Sequence, residues 1–378
     1  MKPKKPLHIA YIDLDDIKNP LLAGGQATAT YEVGKRLASH GHTVTVYCSK
    51  YPGAKDRIED GITYKHVGVD TGNIKMNNAL FILSIPFFVP KITDADIIIE
   101  CFTAPISTLF TPLFTKKPVV VLPSMFNAAA FAKKYFIPFH IIEQLGMKLY
   151  KYMLPYSTVD NAKAKRLNPD ITTRIVSQGV DDIYFQIKPE KPEYILFLGR
   201  FDIDQKGIDL LLEAYAKVKD TIKYPLVIAG RGPDEEKIQK LIKEYNLDLS
   251  VRMVGAAYGE KKCQLMAKAL YTAFPSRHDE MCLWALESLA GGLPLIGFDI
   301  PESAWMTKEI SMKSAPFDTS EYAKILMEAT QPEHIEPMRK ASRSFAQTFP
   351  WSKVVTEFEQ FFYEVLRIEQ SKQYDKNN

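Results

Sequence analysis

The chain has 378 residues, room for two or three domains at roughly 150 residues each. Hydrophobic residues make up 46% and charged residues 25%, and the 19 glycines and 24 prolines follow no period, which excludes a disordered, coiled-coil, collagen-like or low-complexity chain. The net charge of +3 is too near neutral for a nucleic-acid binder, although residues 1–185 carry 22 basic and 16 acidic side chains and the remainder 26 and 29.

Lys2, Lys4 and Lys5 precede an apolar run that stops at Asp13, too short for the core of a signal peptide, so a cytoplasmic chain is expected. His8–Ile12 reads as a buried strand. Tyr31–His40 has helical spacing, with Val33, Leu37 and Ala38 on one face and Gly41 as the stop. Thr43–Cys48, Ile97–Ile99 and Val119–Leu122 read as further strands. Strand and helix in alternation predict right-handed βαβ units and a parallel sheet. The most apolar window, Ala79–Val89, is split by Pro86 and covers about half of the roughly 20 residues a membrane span needs. It therefore reads as a buried segment, with shallow membrane contact as the alternative.

A polar stretch around Gln186–Glu193 contains Pro189 and Pro192 and marks the expected domain boundary, 1–187 against 188–350. A second series follows: strands Tyr194–Leu198, Leu226–Ala229, Val251–Val254, Thr272–Phe274 and Pro294–Gly297 between helices Ile208–Val218, Glu235–Tyr245, Lys261–Leu270 and Leu283–Ala290. A last helix, Ser352–Ile368, lies within the C-terminal segment 351–378. The fold class is thus α/β, with two Rossmann-like, doubly wound domains facing a central cleft at the carboxyl ends of their strands. Cys48, Cys101, Cys263 and Cys282 form no CxxC pair, and the seven histidines no HxxxH pair, so neither a disulfide framework nor a histidine metal site is expected.

Several residues carry candidate chemistry. Gly24-Gly25 precedes the first helix, where backbone N–H groups can meet an anion or the glycines can simply form a turn. No GxGxxG or GxxxxGK[ST] occurs, which argues against a nicotinamide dehydrogenase and a P-loop ATPase. Gly199-Arg200 ends the strand Tyr194–Leu198, and Lys206-Gly207 precedes a helix. An Arg fork and a Lys point charge there suit a diphosphate, or they are ordinary solvated cations. Gly230-Arg231-Gly232-Pro233 is a similar strand-end turn. Asp279 and Glu287 lie about two turns apart, one at a helix mouth and one within it, where they can accept from sugar hydroxyls or, for Asp279, cap the helix. Three Asp-x-Asp triplets, Asp13/Asp15, Asp94/Asp96 and Asp202/Asp204, occur at the rate chance allows. His140 reads as a core or edge residue and His278 as a site candidate. Phe131, Lys133, Lys134, Tyr135, Phe136, Lys148, Lys151 and Tyr152 mix cations with aromatics, as a surface for anionic lipid would, or as an amphipathic helix pair would.

Together these pieces resemble the family 4 glycosyltransferases of the GT-B fold, retaining enzymes that use nucleotide sugars. The resemblance runs from Gly24-Gly25 and Gly41–Val46 through Asp96–Val121, Gly179-Val180-Asp181, Gly199–Gly207, Ala229–Pro233, Val254-Gly255 and Pro275–Gly297 to Phe349-Pro350-Trp351. It implies transfer of a hexosyl group from a UDP- or GDP-linked sugar to a glycan or lipid-linked acceptor in polysaccharide or glycoconjugate assembly. No metal or other cofactor is implied, nor nucleic acid. Peripheral contact with an anionic membrane at its cytoplasmic face is implied for a lipid-linked acceptor. Arg200 and Lys206 would hold the donor diphosphate and Asp279 the donor sugar, these three forming the catalytic set. Glu287 would hold the ribose, with Gly24, Gly25, Gly199, Gly232, Glu280, Met281, Cys282 and Leu283 around the donor. Ser124 and His278 are acceptor or sugar candidates. Two departures stand out. The family's Glu-x7-Glu motif is here Asp279-x7-Glu287, and Pro123-Ser124-Met125 has no histidine where many relatives do. They leave a second reading, a GT-B protein that binds nucleotide sugar or a partner enzyme without transfer; fold alone also admits an epimerase or phosphorylase.

Overall fold

The computed structural model describes residues 5–22, 24–103, 108–129, 132, 136–279 and 281–377. The chain forms two units, Met1–Ser177 with Trp351–Asn378, and Gln178–Pro350.

The first unit holds strands β1 (His8–Asp13), β2 (Thr43–Ser49), β3 (Arg57–Glu59), β4 (Ile62–Val67), β5 (Ile97–Thr103), β6 (Val119–Met125), β7 (Tyr152–Met153) and β8 (Thr172–Thr173). They pair in the order β3-β4-β2-β1-β5-β6-β7-β8, parallel except for β3 with β4. Ile9, Ala10, Tyr11 and Ile12 are all buried, as a central parallel strand covered on both faces requires. Ala10 and Ile12 face a core shared with helices α2 (Ile74–Phe88) and α3 (Phe139–Met147), through Phe81, Ile85 and Met147. The alternate positions turn the other way, where the Thr30 hydroxyl of α1 (Gly25–Ser39) donates to Asp13 at 2.6 Å. The helix Trp351–Asn377 belongs to this unit: Glu359 pairs with His40 and His42, Arg174 with Glu364 at 2.6 Å, and the Tyr152 hydroxyl donates to Glu369.

The second unit holds β9 (Tyr194–Leu198), β10 (Leu226–Ala229), β11 (Val251–Met253), β12 (Ala269–Phe274), β13 (Leu295–Phe298) and β14 (Ser311–Ser314), all parallel, in the order β11-β10-β9-β12-β13-β14. Counted within the unit this is 3-2-1-4-5-6, the doubly wound order, and it reverses between β9 and β12. In the first unit the reversal falls between β1 and β5.

Four sequence readings need correction. The chain passes between units after Ser177, ten residues before the expected break at 187. The polar, proline-containing stretch looked like a linker, but its backbone is tied down: Glu190 and Glu193 donate to Ala267 and Lys268, and the Val180 N–H donates to Phe349. The helix read as Lys261–Leu270 runs Gly259–Ala267, because Ala269 already pairs with Tyr194 in the sheet. Ala79–Val89 is buried along one stripe only; Leu83 and Phe87 are exposed. Tyr152, read as part of a cationic aromatic surface, is buried in β7, while Phe131, Lys133, Lys134 and Tyr135 lie outside the described residues. No helix among the described residues is long and apolar enough to cross a membrane.

Asp13, buried at the end of β1, carries an energetic consequence. Burial raises its carboxyl from the usual 3.8 to about 7, against the opposing bonds from Thr30 and the Asp15 N–H. A folded-state value above the unfolded one favours the fold when the group is protonated. Its contribution is therefore complete below about pH 4 and is lost as pH rises through 7. Urea midpoints at pH 5 and pH 8 should fall for the native chain and fall measurably less for Asp13→Asn; equal falls would remove Asp13 as the cause.

Candidate functional site

The loops after β9 and β12 leave adjacent strands at the reversal of the second sheet, so tertiary topology, not sequence distance, makes them neighbours. Two features lock them together. Gly207 adopts φ +62°, and a Cβ there would lie 2.1 Å from the Pro275 carbonyl oxygen, so the position demands glycine twice over. The Arg277 N–H donates to Gln205 O at 2.9 Å, and its guanidinium donates to Ile203 O while forking onto Asp209 at 2.7 and 2.6 Å.

That seating puts the Lys206 ammonium against the Asp279 carboxylate, both side chains more than nine-tenths buried. The Ser276 hydroxyl donates to the same Asp279 oxygen at 3.2 Å. Burial pushes the Lys206 pKa down, but Asp279, Cys282 and Asp202 outweigh it, and the group ends above the ordinary lysine value. It is a fixed buried cation. The Trp284 ring, stacked on Phe274 at 4.9 Å, lies 5.7 Å from its Nζ. Arg200 follows β9 in solvent, and its guanidinium has no hydrogen bond or ion pair among the described residues. A fixed cation and a swinging one thus follow the same strand.

Asp279 and Glu287 do not share a partner. Glu287, in the helix Leu283–Ala290, pairs with Lys262 from the helix Gly259–Ala267. The Tyr184 phenol beside this pair is raised by burial and then by the Glu287 charge. His278 sets Nδ1 2.9 Å from Glu302, which holds that carboxyl below its usual range. Cys282 caps the Leu283–Ala290 helix without a side-chain bond, and burial pushes its thiol up. Met281, Cys282 and Leu283 are half-buried around this helix start, leaving the first-turn N–H groups without a side-chain cap. Glu280 lies outside the described residues. Gly199 directly follows β9, and Gly232 has a packing duty: a Cβ there would lie 2.4 Å from the Phe201 carbonyl oxygen.

Gly24, Gly25 and Ser124 fall in the first unit. Gly24 caps α1 and donates its N–H to Asp15 at 2.7 Å, and Gly25 is the first helical residue. Ser124 is exposed at the end of β6 and donates to Phe102 O at 3.2 Å. The aspartate triplets also have structural work: Asp96 accepts the His8 N–H, and Asp202 accepts that of Gln205. Asp16, which no motif flagged, takes both arms of Arg57 at 2.7 Å, His66 at 2.9 Å and Tyr51 at 3.1 Å. Burial raises its pKa, yet Arg57 and His66 outweigh it and hold the carboxyl well below the usual range. Asp16, Cys48 and His66 offer ligand atoms within 4.8 Å of one another, but Arg57 already occupies both carboxylate oxygens, which makes the group an ion-pair hub.

Sequence spacing singled out Arg200, Lys206 and Asp279. It missed Ser276, Lys262 and the Arg277–Asp209 fork, because each depends on a partner brought in from another helix or loop.

The structure falls in the GT-B class. It superposes on a sucrose-phosphate synthase from Thermosynechococcus elongatus with a TM-score of 0.81 at 18% identity, over 96% of this chain and 100% of that one. Residues 181–309 match the family described as Glycosyl transferases group 1, a span that includes Arg200, Lys206, Asp279 and Glu287. The chain is 23% identical to N-acetyl-alpha-D-glucosaminyl L-malate synthase of Bacillus anthracis over 91% of this chain and 95% of that protein. It is also 23% identical to GDP-mannose:cellobiosyl-diphosphopolyprenol alpha-mannosyltransferase of Xanthomonas oryzae pv. oryzae, over 69% and 71%. Further curated relatives are matched over only 26% to 52% of their own length. The protein is a glycosyltransferase, with a group 1 domain at residues 181–309 and a likeness to enzymes of the family 4 type.

The buried pair sets up a stability test. Lys206→Met strands the Asp279 charge and should cost about 3–5 kcal/mol, whereas Lys206→Met with Asp279→Leu should cost clearly less than the sum of the single changes. Urea denaturation of the two single variants and the double variant reads the coupling; strictly additive losses would mean that the pair is not coupled.

Proposed function

We propose that the protein transfers a hexosyl group, with retention of anomeric configuration, from a UDP- or GDP-linked sugar to a glycan or lipid-linked acceptor in surface polysaccharide or glycoconjugate assembly. The observation that carries this reading is the pair of cations after β9, at the sheet reversal where open α/β sheets take ligands. The named relatives support the substrate class: one name specifies GDP-mannose as donor and a diphosphopolyprenol-linked acceptor.

In the reaction the bond between the anomeric carbon and the phosphate oxygen breaks, and its electron pair leaves with the nucleoside diphosphate. Negative charge grows on the phosphate as the sugar becomes oxocarbenium-like. Lys206 is already charged and immobile, so it stabilises that growth without reorganising, and Arg200 closes on the diphosphate from solvent. These two side chains supply the neutralisation for which a divalent ion would otherwise serve. The acceptor hydroxyl oxygen bonds to the same face of the anomeric carbon, and its proton passes to the departing phosphate oxygen. Asp279 aligns Lys206 and accepts from a donor sugar hydroxyl, while Glu287 accepts from the ribose. Gly199, Gly232 and the backbone of Met281, Cys282 and Leu283 line the donor. The first unit takes the acceptor, with Ser124 near the end of β6 and the Gly24-Gly25 turn at the N-terminus of α1.

A thermal-shift panel with UDP, GDP, ADP and CMP tests the donor site. A ligand at about 100 times its Kd should add roughly 2.7 kcal/mol, and one nucleoside diphosphate should stand out. Arg200→Ala should weaken that ligand at least tenfold, a loss of about 1.4 kcal/mol, with little change in the stability of the free protein. A flat panel, or unchanged affinity in the variant, would overturn the assignment. Turnover should survive EDTA, and the anomeric coupling of the product by NMR should match that of the donor.

A further inference from the structure

Helix α2 departs from the pattern of a surface helix. From Met76 to Pro90 the chain has no charged residue. One stripe, Asn77, Phe81, Ile85 and Val89, is buried against the sheet. The opposite stripe is apolar too: Met76, Leu83 and Phe87 are 53%, 67% and 73% exposed, and Ala79, Pro86 and Pro90 continue it in solvent. A surface helix ordinarily turns its polar residues outward, and a helix apolar all round is ordinarily buried. On the same side of the sheet α3 sends Met147 into the same core and exposes Ile141 and Leu145.

Charge identifies what covers this face. Lys75 and Lys91 stand at the two ends of the α2 stripe, and Lys148 follows α3, all three exposed. Of the ten basic side chains in residues 101–180, Lys163 pairs with Glu143, and Arg174 and Lys151 pair with Glu364 and Glu369 of the last helix, so Lys75, Lys91 and Lys148 carry the charge match. An acidic protein partner would match the lysines and leave Leu83 and Phe87 against polar atoms. An anionic lipid surface satisfies both, since apolar side chains enter the boundary below the headgroups while lysines stay among the phosphates.

We infer that the α2 stripe, with the exposed side of α3, docks the first unit onto an anionic lipid surface, Leu83 and Phe87 entering the headgroup–acyl boundary. The inference stands on α2 and its lysines and is independent of the donor-site reading. It also relocates the membrane contact from the segment 131–152, where the cationic aromatic cluster suggested it, to a helix the sequence favoured as buried.

The full chain is tested by co-sedimentation with vesicles of POPC and of POPC:POPG at 7:3. The native chain should bind the POPG vesicles at least tenfold more tightly than POPC, and Leu83→Glu with Phe87→Glu should lower that binding at least tenfold while the melting temperature and the nucleotide shift are kept. In a second variant, Phe87→Trp, brominated lipid should quench the new tryptophan; the native three lie at positions 284, 305 and 351, outside α2. No partition onto POPG vesicles, binding that ignores POPG, or unaltered binding by the double variant would each overturn the inference. So would a native dimer that the double variant splits, because the stripe would then be a self-interface. Loss of the nucleotide shift with vesicle binding intact would defeat the donor reading alone.

Discussion

The charged centre of the second unit hangs on one backbone contact, the loop after β9 riding on the carbonyl of Pro275 through Gly207. Any side chain at Gly207 would force the two loops apart. Lys206 would lose Asp279, and the Arg277 contacts with Gln205 and Ile203 would go with it. A buried lysine without its carboxylate would shed its proton to escape the low dielectric. Close approach of two loops is therefore what keeps a positive charge inside this protein, and the proposed chemistry draws on that charge.

The first unit solves a related problem with acids. Asp13, Asp15 and Asp16 follow one another at the end of β1, all buried, and each is handled differently. Asp13 faces Thr30 and sits near neutrality. Asp15 spends its oxygens on Asn19 and the Gly24 N–H, shaping the turn into α1. Asp16 stays ionised because Arg57 and His66 converge on it. The turn the three aspartates build delivers Gly24 and Gly25 to the N-terminus of α1, where the first-turn N–H groups point out of the helix.

Much of this was legible in the sequence. Strong apolar runs such as Tyr194–Leu198 and Leu226–Ala229 are central parallel strands buried on both faces, and their shortness between turn residues marks them as strands. Short strands at or next to a sheet edge were not legible: Tyr152–Met153, Thr172–Thr173 and Ser311–Ser314 are held by pairing with their neighbours, and in isolation they carry no pattern. The boundary was misplaced because prolines and lysines resemble a linker even where their backbone is hydrogen-bonded to a domain. Helix α2 misled for a different reason. Its lack of charge reads as burial, and only solvent exposure distinguishes a buried face from an outward one.

Local sequence determined the two βαβ series, the strand-end glycines and the cations that follow β9, because period and turn chemistry act over a few residues. It also placed Asp279 and Glu287 on one segment, since only eight positions separate them. Tertiary structure alone decided that Lys206 meets Asp279 across 73 positions and that Glu287 belongs to Lys262. It also decided that Arg200 keeps its guanidinium in solvent. Long side chains choose partners by which loops the sheet order makes adjacent, and strand order is a property of the whole packed unit that no stretch of sequence carries.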